Sequence, residues 1–587
     1  MSDVKNVKVK INGILVEVPE GSTILDAAQV AGVRIPTLCF LKDINAIGAC
    51  RMCLCEVKGA RAWCAACVFP VAENRDGTPM EVYTNTPELI ASRKKTLELI
   101  LSNHRQDCLS CVRSADCELQ ALCREYGVDQ YKFGKPDLAP DLDESAVHLV
   151  RDNSKCILCR RCTAVCKHNQ FTGVIGANER GYDTHISSAF DMPLANTACI
   201  NCGQCVAVCP TGALTEKNDT DKVWAAINDP AKHVVVAPAP SVRAQLGECF
   251  GMPIGTNVEG KMIAALRRLG FDRVFDVDNA ADVTILEEGT ELLNRVKNGG
   301  KLPLITSCSP GWVKFCETYY PEFMENLSSC KSPQQMFGAL TKSYYAEKAG
   351  IDPKDIFVVS IMPCTAKKFE VQRPEMTATG YADVDVSLTT RELAEMIKLA
   401  GIEFTKLPDE VCDPFLGIAS GAGHIFGATG GVMEAALRTV YEVVTGKEAQ
   451  PLEFTDVRGV EDIKEAEYDL NGLKVKVAVT SGLNNAAKLL DMIKSGEKDY
   501  AFVEVMCCPG GCVNGGGQPH QPGYVRNYLD LRAERAKALY SEDAAMELRK
   551  SHENPEVKEL YATYLGEPNS HKAHELLHTH YTERKVY

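Results

Sequence analysis

Twenty-seven cysteines stand in this 587-residue chain, and their spacing carries most of its chemistry. Cys156, Cys159, Cys162 and Cys166 follow C-x2-C-x2-C-x3-C; Cys199, Cys202, Cys205 and Cys209 repeat the pattern, with Pro210 after the last. Three thiolates of one short loop can grip one 4Fe–4S cube, while the fourth reaches the cube of the other loop. One cube is therefore expected on Cys156, Cys159, Cys162 and Cys209, and a second on Cys199, Cys202, Cys205 and Cys166. Zinc, the alternative for paired C-x-x-C, fits this repeat poorly. Lys167, not proline, follows the first run, a small departure.

Two further groups precede these. Cys39, Cys50, Cys53 and Cys67 combine a long gap, a C-x-x-C pair and a distant fourth thiol. The group follows a strand–turn–helix start and resembles a plant-type 2Fe–2S ferredoxin, although its spacing is not the x4 of photosynthetic forms. Cys55 and Cys64 are left over and read as structural or as neighbours of the ligands. His104, Cys108, Cys111 and Cys117 offer one imidazole and three thiolates. Alone, that donor set suits zinc. Its position between iron–sulfur modules favours a 4Fe–4S cluster instead. Cys123 lies beyond the pattern. Four clusters in a row make a wire, which needs a redox centre at one end and an electron partner at the other.

Composition agrees. Hydrophobic residues are 45% of the chain, enough for several buried cores, and the length suits three to five domains at about 150 residues each. Net charge is −14, from 64 basic and 78 acidic residues, which argues against nucleic acid as the main partner. MSDVKNVKVKINGILVEV alternates like a strand and has no signal-peptide core. No run of about 18 apolar residues offers a membrane span. A cysteine-rich chain expected in the cytoplasm points to metal or catalysis, not disulfides.

The elements that must position these groups follow from local pattern. Asn12-Gly13 predicts a hairpin turn, and Ser22-Thr23 a helix start running through Ala27 and Ala28. TPELIASRKKTLELILSNH has helical spacing. Residues 133–155, rich in Pro and Asp, read as a linker. HVVVAPAP, DIFVVSIMPC and KVAVTSG read as buried strands running into loops, and ligand sites in such sheets lie at strand carboxyl ends. The fold class expected is α/β multidomain. It comprises a ubiquitin-like 2Fe–2S ferredoxin domain (1–82), a 4Fe–4S module with one histidine and three cysteine ligands (83–130) and a two-cluster 4Fe–4S ferredoxin domain (131–220). A large α/β catalytic domain (221–525) and a helical C-terminal region (526–587) follow.

Three loops carry the remaining chemistry: LITSCSPGW, SIMPCTAKKFE and EVMCCPGGCVNGGGQ. The set resembles the FeFe-hydrogenases, whose signature segments run TSCCPGW, MPCxxKxxE and ExMxCxGGCxxGGG. The cysteine modules also resemble those of long clostridial-type members, and SHENPEVKELYATYLGEP through HKAHELLHTHY resembles the family's small-subunit region. The resemblance covers essentially the whole chain. It implies an H-cluster, a 4Fe–4S cubane joined through one cysteine sulfur to a two-iron unit bearing CO, cyanide and a bridging azadithiolate. With it come three further 4Fe–4S clusters and one 2Fe–2S cluster. By motif, Cys364 and Cys508 would ligate the cubane and Cys512 would bridge to the two-iron unit. Lys367 and Ser307 would contact cyanide, and Met506 would pack beside the bridging carbonyl. Glu288, Glu291 and Ser328 match the family's proton relay, with Arg295 at its mouth. From the residues alone, Lys367 reads equally as an exposed lysine, Met506 as core packing, and the carboxylate pair as a solvated helix face.

One motif departs. The family's first loop has two cysteines, a proton carrier and then a cubane ligand. TSCSPGW puts Cys308 at the first position and Ser309 at the second. Either Cys308 stays the carrier while Ser309 binds through oxygen, or Cys308 turns to ligate. Thiolate is the softer ligand, so Cys308 is taken as ligand or flexible participant. Cys507 is an extra thiol, a substitute proton donor or a small buried side chain. The function implied is reversible H2 oxidation and proton reduction, with electrons passed along the N-terminal clusters to ferredoxin or to NAD(P)-reducing flavin and iron–sulfur subunits. No Gly-rich dinucleotide fingerprint follows a strand, so any nicotinamide site belongs on another subunit. A non-catalytic H2-sensing or electron-transfer protein of the same fold is the second reading, and the altered first loop is its only support.

Overall fold

Asn12 and Gly13 take φ of 50° and 89°, the left-handed pair that a two-residue hairpin requires. They join strands Asn6–Ile11 and Ile14–Pro19. The computed structural model describes residues 5–129, 132–133, 139, 141–460, 462–470 and 473–585. The first strand also runs parallel to Met80–Tyr83, in a five-stranded sheet that continues through Leu54–Val57 to Cys64–Ala65. Helix Ile24–Val30 closes over this sheet. Thr23 starts it: its hydroxyl accepts from Asp26 N, and the Asp26 carboxylate accepts from Thr23 N, at 3.2 and 2.9 Å. This reciprocal cap satisfies two otherwise orphaned amides.

Helix Pro87–Leu101, capped by Thr86, leads into the His104 loop, and Cys117 caps helix Glu118–Tyr126. The linker expected over 133–155 needs correction. Residues 134–138 and 140 lie outside the described residues, but Leu142–Asp143 and Leu149–Asp152 are strands. Leu149–Asp152 pairs antiparallel with Leu214–Glu216, beyond the second cysteine run. A short strand whose partner is that remote leaves no local signature.

The large domain holds two mainly parallel sheets. One orders Arg273–Val274, His233–Pro238, Ile356–Met362 and Val386–Thr389, all parallel. The other orders Leu304–Ile305, Phe502–Met506 and Leu473–Ser481 in parallel, with Ile463–Leu470 antiparallel at its edge. Continuous apolar runs such as IFVVSIM suit strands covered on both faces. The 22-residue helix Val277–Asn298 joins both cores. It gives Ala280 and Val283 to the first and Ala281, Ile285 and Leu292 to the second. The last segment, with helices Leu531–Ala545, Pro555–Leu560 and His571–Leu577, returns Val557, Leu560 and Leu577 to the first core. Among the described residues no helix is long and apolar enough to cross a membrane.

The second cysteine run meets the large domain glycine to glycine. A Cβ on Gly516 would stand 2.2 Å from Cys202 O and 2.6 Å from Gly203 Cα. Thr365 Oγ1 donates to Asn201 O at 2.7 Å, and Gln204 Nε2 to Asn514 O at 2.8 Å. Both obstructions to Gly516 are backbone and cannot swing aside. Gly516→Ala is therefore expected to destabilise this junction by about 1–3 kcal/mol, as overpacking does, read as a lower thermal unfolding midpoint.

Candidate active site

The carboxyl ends of both sheets converge on one cavity. Ile356–Met362 delivers Pro363 and Cys364, and Phe502–Met506 delivers Cys507, Cys508 and Cys512. Leu304–Ile305 delivers Cys308 and Ser309, and His233–Pro238 delivers Ala239 and Ser241. Ser309 stands at the N-cap of helix Pro310–Tyr319, whose proline at the first position suits a helix start. Trp312 Nε1 donates to Thr306 O at 3.0 Å and pins the loop from beneath.

Glycines in the third loop serve close approach. Gly511 has φ of 95°, and a Cβ there would lie 2.7 Å from Thr429 N. The loop therefore nests against the turn before helix Gly431–Thr445. Glu504, two residues before Met506, is fully buried and accepts from Gly430 N and Met433 N, each at 2.7 Å. The motif's glutamate thus anchors the start of that helix, a role that sequence reasoning missed.

Lys367 is buried. Its Nζ donates to Cys308 O at 3.2 Å, Ser332 Oγ at 2.8 Å and Glu370 Oε2 at 2.8 Å. Ser332 Oγ and Gln334 Nε2 also donate to Glu370, at 2.8 and 2.9 Å. Glu370 was legible only as the last letter of the motif, three residues after Lys367. Met506 is buried and lines the cavity. The Ser307 hydroxyl is directed away, donating to Cys330 O at 2.7 Å.

Cys308 packs with the core of the second sheet, and the charge on Glu288 acts on its thiol. Ser309 Oγ accepts from Cys507 N at 3.2 Å. The Cys507 thiol lies 3.8 Å from Gln170 Oε1 and bonds toward Cys202 and Cys508, on the ferredoxin side. It thus stands between thiols of two cluster groups, not beside Glu288.

Glu288 and Glu291 share helix Val277–Asn298. Ser328 hydrogen-bonds Glu288 and donates to Glu291 Oε2 at 3.0 Å. Arg295 Nη2 donates to Glu291 Oε1 at 2.6 Å. The four expected relay groups are therefore brought together.

The N-terminal groups also assemble. One cavity is lined by Cys166, Cys199, Cys202 and Cys205. Another is lined by Cys156, Cys159, Cys162 and Cys209. Each holds the fourth cysteine of the other run. Cys53 and Cys67 sulfurs lie 3.4 Å apart, with Cys39 bonded to Cys50 and Cys67. Cys55 and Cys64 face each other across two strands, sulfurs 3.3 Å apart. Cys108 and Cys117 each lie within electrostatic reach of Cys111. His104 Nδ1 donates to Lys155 O at 3.1 Å, and burial lowers the pKa of the ring. That leaves a neutral imidazole with Nε2 available as a ligand. Cys123 is buried in helix Glu118–Tyr126.

The comparisons with known proteins agree with this arrangement. Residues 232–516 match the family model "Iron only hydrogenase large subunit, C-terminal domain", and 529–584 match "Iron hydrogenase small subunit". Residues 4–87, 93–131 and 155–213 match a 2Fe-2S iron-sulfur cluster binding domain, an NADH-ubiquinone oxidoreductase-G iron-sulfur binding region and a 4Fe-4S dicluster domain. The NADP-reducing hydrogenase subunit HndD of Solidesulfovibrio fructosivorans is 47% identical, over 98% of this chain and 99% of that one. The chain belongs to the iron-only hydrogenases. Iron hydrogenase 1 of Clostridium pasteurianum is 45% identical, over 97% of this chain and 99% of its own length. A solved FeFe-hydrogenase, HydA1 of Chlamydomonas reinhardtii, is 42% identical with a TM-score of 0.56, covering 62% of this chain and 99% of that chain. This iron hydrogenase is accordingly an enzyme of H2 oxidation and proton reduction, with N-terminal iron–sulfur domains. The non-catalytic reading is not favoured.

Burial pushes the Glu288 carboxyl up from 4.5 to about 8. Between those values the folded hydrogenase holds a proton that the unfolded chain has lost, so this group's contribution to stability declines as pH rises through the window. Glu288→Gln should remove that slope from a plot of unfolding midpoint against pH. It should also lower H2 evolution by about 100-fold or more, the effect of removing a positioned proton carrier.

Proposed function

We propose that the active-site cavity would hold the H-cluster, with Cys364, Cys508 and Cys512 as thiolate ligands and Cys512 also serving the two-iron unit. The observation that carries this reading is the convergence of these three thiols, from the carboxyl ends of two sheets, beside the buried ammonium of Lys367. Soft thiolates suit iron–sulfur ligation, and a buried cation suits an anionic ligand. In place of the Cys308 ligation expected from the sequence, Ser309 would take the fourth cubane position and Cys308 would remain the proton carrier: after burial, Glu288 acts most strongly on the Cys308 thiol, and Ser309 Oγ accepts from Cys507 N. Met506 lines the cavity, while the Ser307 hydroxyl, bonded to Cys330 O, would contact a cyanide only after turning.

When bound, the H-cluster supplies heterolytic cleavage of H2 and accepts the electrons. The chain's own residues do the rest. Lys367, held by Glu370, Ser332 and Cys308 O, keeps its positive charge at the cavity wall. Cys308 passes a proton to Glu288, Ser328 links Glu288 to Glu291, and Arg295 holds Glu291 in place. Met506, Phe426 and the capped helix behind them exclude water from the cavity wall.

A 4Fe–4S cluster would be held by Cys199, Cys202, Cys205 and Cys166 and another by Cys156, Cys159, Cys162 and Cys209, and they would supply electron transfer away from the cavity. His104, Cys108, Cys111 and Cys117 would hold a further 4Fe–4S cluster, and Cys39, Cys50, Cys53 and Cys67 a 2Fe–2S cluster, as outer stages. Asn45 ties the Cys39 loop directly to the Cys159 loop, so the two outer groups branch from the same inner one. Its amide donates to both Cys39 O and Cys159 O, at 2.7 and 3.1 Å. Besides the H-cluster these make three further 4Fe–4S clusters and one 2Fe–2S cluster. The units correspond to a ubiquitin-like domain over 1–82, the histidine-and-cysteine cluster module over 83–130 and a two-cluster domain over 131–220. The H-cluster domain over 221–525 and a helical small-subunit-like region over 526–587 complete the chain. The printed name of the HndD relative favours NAD(P)-linked flavin and iron–sulfur subunits as electron partners, with ferredoxin the other acceptor. Ile47, Trp63, Val68 and Phe69 are exposed around the 2Fe–2S cysteines, an apolar docking end for such a partner. We assign the enzyme to the cytoplasm, where thiols stay reduced.

The chain produced with its maturation proteins should evolve H2 from reduced viologen and carry CO and cyanide infrared bands. Full bands without turnover would overturn the reading. Cys209→Ser should lose one 4Fe–4S electron paramagnetic resonance signal, and partner-linked turnover should fall by about tenfold or more while those infrared bands persist.

A further inference from the structure

The C-terminal segment returns to the helix that carries the two relay carboxylates. Glu291 spends its Oε1 on Arg295, whose Nε and Nη2 donate at 3.1 and 2.6 Å. The remaining N–H groups of Arg295 go to carbonyls of Lys301, Glu325 and Leu327. A guanidinium has donors only and does not lose its proton in a protein. Arg295 can therefore hold Glu291 but cannot pass a proton to it.

The other carboxylate oxygen faces groups that can. Glu291 Oε2 accepts from Ser328 Oγ at 3.0 Å and from Ser329 Oγ at 3.3 Å. Ser329 Oγ lies 2.8 Å from His578 Nδ1. On the far side of the ring, His578 Nε2 lies 3.0 Å from Glu287 Oε2. Glu287 is fully buried and also accepts from Tyr561 OH, so it is fixed opposite the imidazole. His574, one turn earlier on helix His571–Leu577, lies against His578 with ring centroids 4.0 Å apart and planes tilted by 36°, and is exposed to solvent.

We propose that His578 carries protons between solvent and Glu291 through Ser329, with His574 at the outer end and Glu287 steadying the charged ring. The C-terminal segment is thereby part of the proton path. Inward, the imidazolium gives its Nδ1 proton to Ser329 Oγ while the Ser329 hydroxyl proton moves to Glu291 Oε2. The neutral ring then regains one proton at Nδ1 from solvent on the side of His574. The outward direction is the reverse. One proton crosses per step and no electron moves. A hydroxyl and an imidazole can each accept and donate, which this passage requires.

The proposal rests on Glu291 being a relay carboxylate. That is tested separately by Glu291→Gln, which must slow H2 turnover in the matured full-length enzyme. Three variants then address the branch: His578→Gln, His578→Ala and Ser329→Ala. Glutamine can bond to both Ser329 and Glu287, keeping the segment seated, but cannot carry a proton. With CO and cyanide infrared bands unchanged, His578→Gln and Ser329→Ala should each lower H2 evolution by about tenfold or more, since a positioned proton carrier is lost. His578→Ala should be equally slow and should recover severalfold when imidazole is added to the buffer. A merely structural role would give no such rescue. Wild-type turnover in His578→Gln or Ser329→Ala would overturn the proposal. So would a slow His578→Ala with intact bands and no response to imidazole.

Discussion

Three thiols on two separate loops can face one metal group only if the strands behind them end at the same point. The two mainly parallel sheets meet this condition by directing their carboxyl ends into one cavity, and much of the surrounding structure keeps those ends in register. Glu504 fastens the second sheet to helix Gly431–Thr445 through two backbone amides. Gly511 lets the third loop lie against that helix start. Trp312 ties the first loop to its own helix. Each contact is backbone-directed, so it fixes loop position and not just side-chain orientation.

The same rigidity explains how the cluster wire reaches the cavity. The second cysteine run abuts the third loop at Gly203 and Gly516, where no side chain fits. Cys507 occupies the space between Cys202 and Cys508. The two thiol groups are thus bridged through the extra cysteine. At the other end, Asn45 bonds carbonyls of two cysteine loops from different modules. The modules are joined by hydrogen bonds at the cysteine loops themselves, which fixes those loops relative to one another.

Proton handling depends on one helix that serves two cores. Val277–Asn298 buries apolar residues on both sides, which carries Glu288 into a site where it is fully buried. Its next turn leaves Glu291 between Arg295 and a pair of serines. The gradient from dry to solvated along one helix separates a carboxyl that stays protonated near neutrality from one tied to a guanidinium. The C-terminal segment closes over that second carboxylate and brings an imidazole within one hydroxyl of it.

Cluster cysteines were legible in the sequence because their constraint is local: three thiolates on a short loop must be spaced to meet one cube. The hairpin at Asn12-Gly13, the Thr23 cap and the long apolar strands were legible for the same reason, since turn chemistry and hydrophobic period act within a few residues. Lys367 and the relay pair were identified through motif resemblance, and as isolated residues they looked like ordinary surface groups. Tertiary structure alone decided what depends on remote partners. The strand Leu149–Asp152, hidden in an apparent linker, exists because Leu214–Glu216 pairs with it. Glu504 became a helix anchor, Glu370 the holder of Lys367, and His578 the neighbour of Ser329 across 249 residues. The direction of the Cys507 thiol, toward Cys202 and not toward Glu288, was likewise a matter of how two domains pack. Spacing along a chain encodes which groups can share a ligand; only folding sets which distant groups share a hydrogen bond.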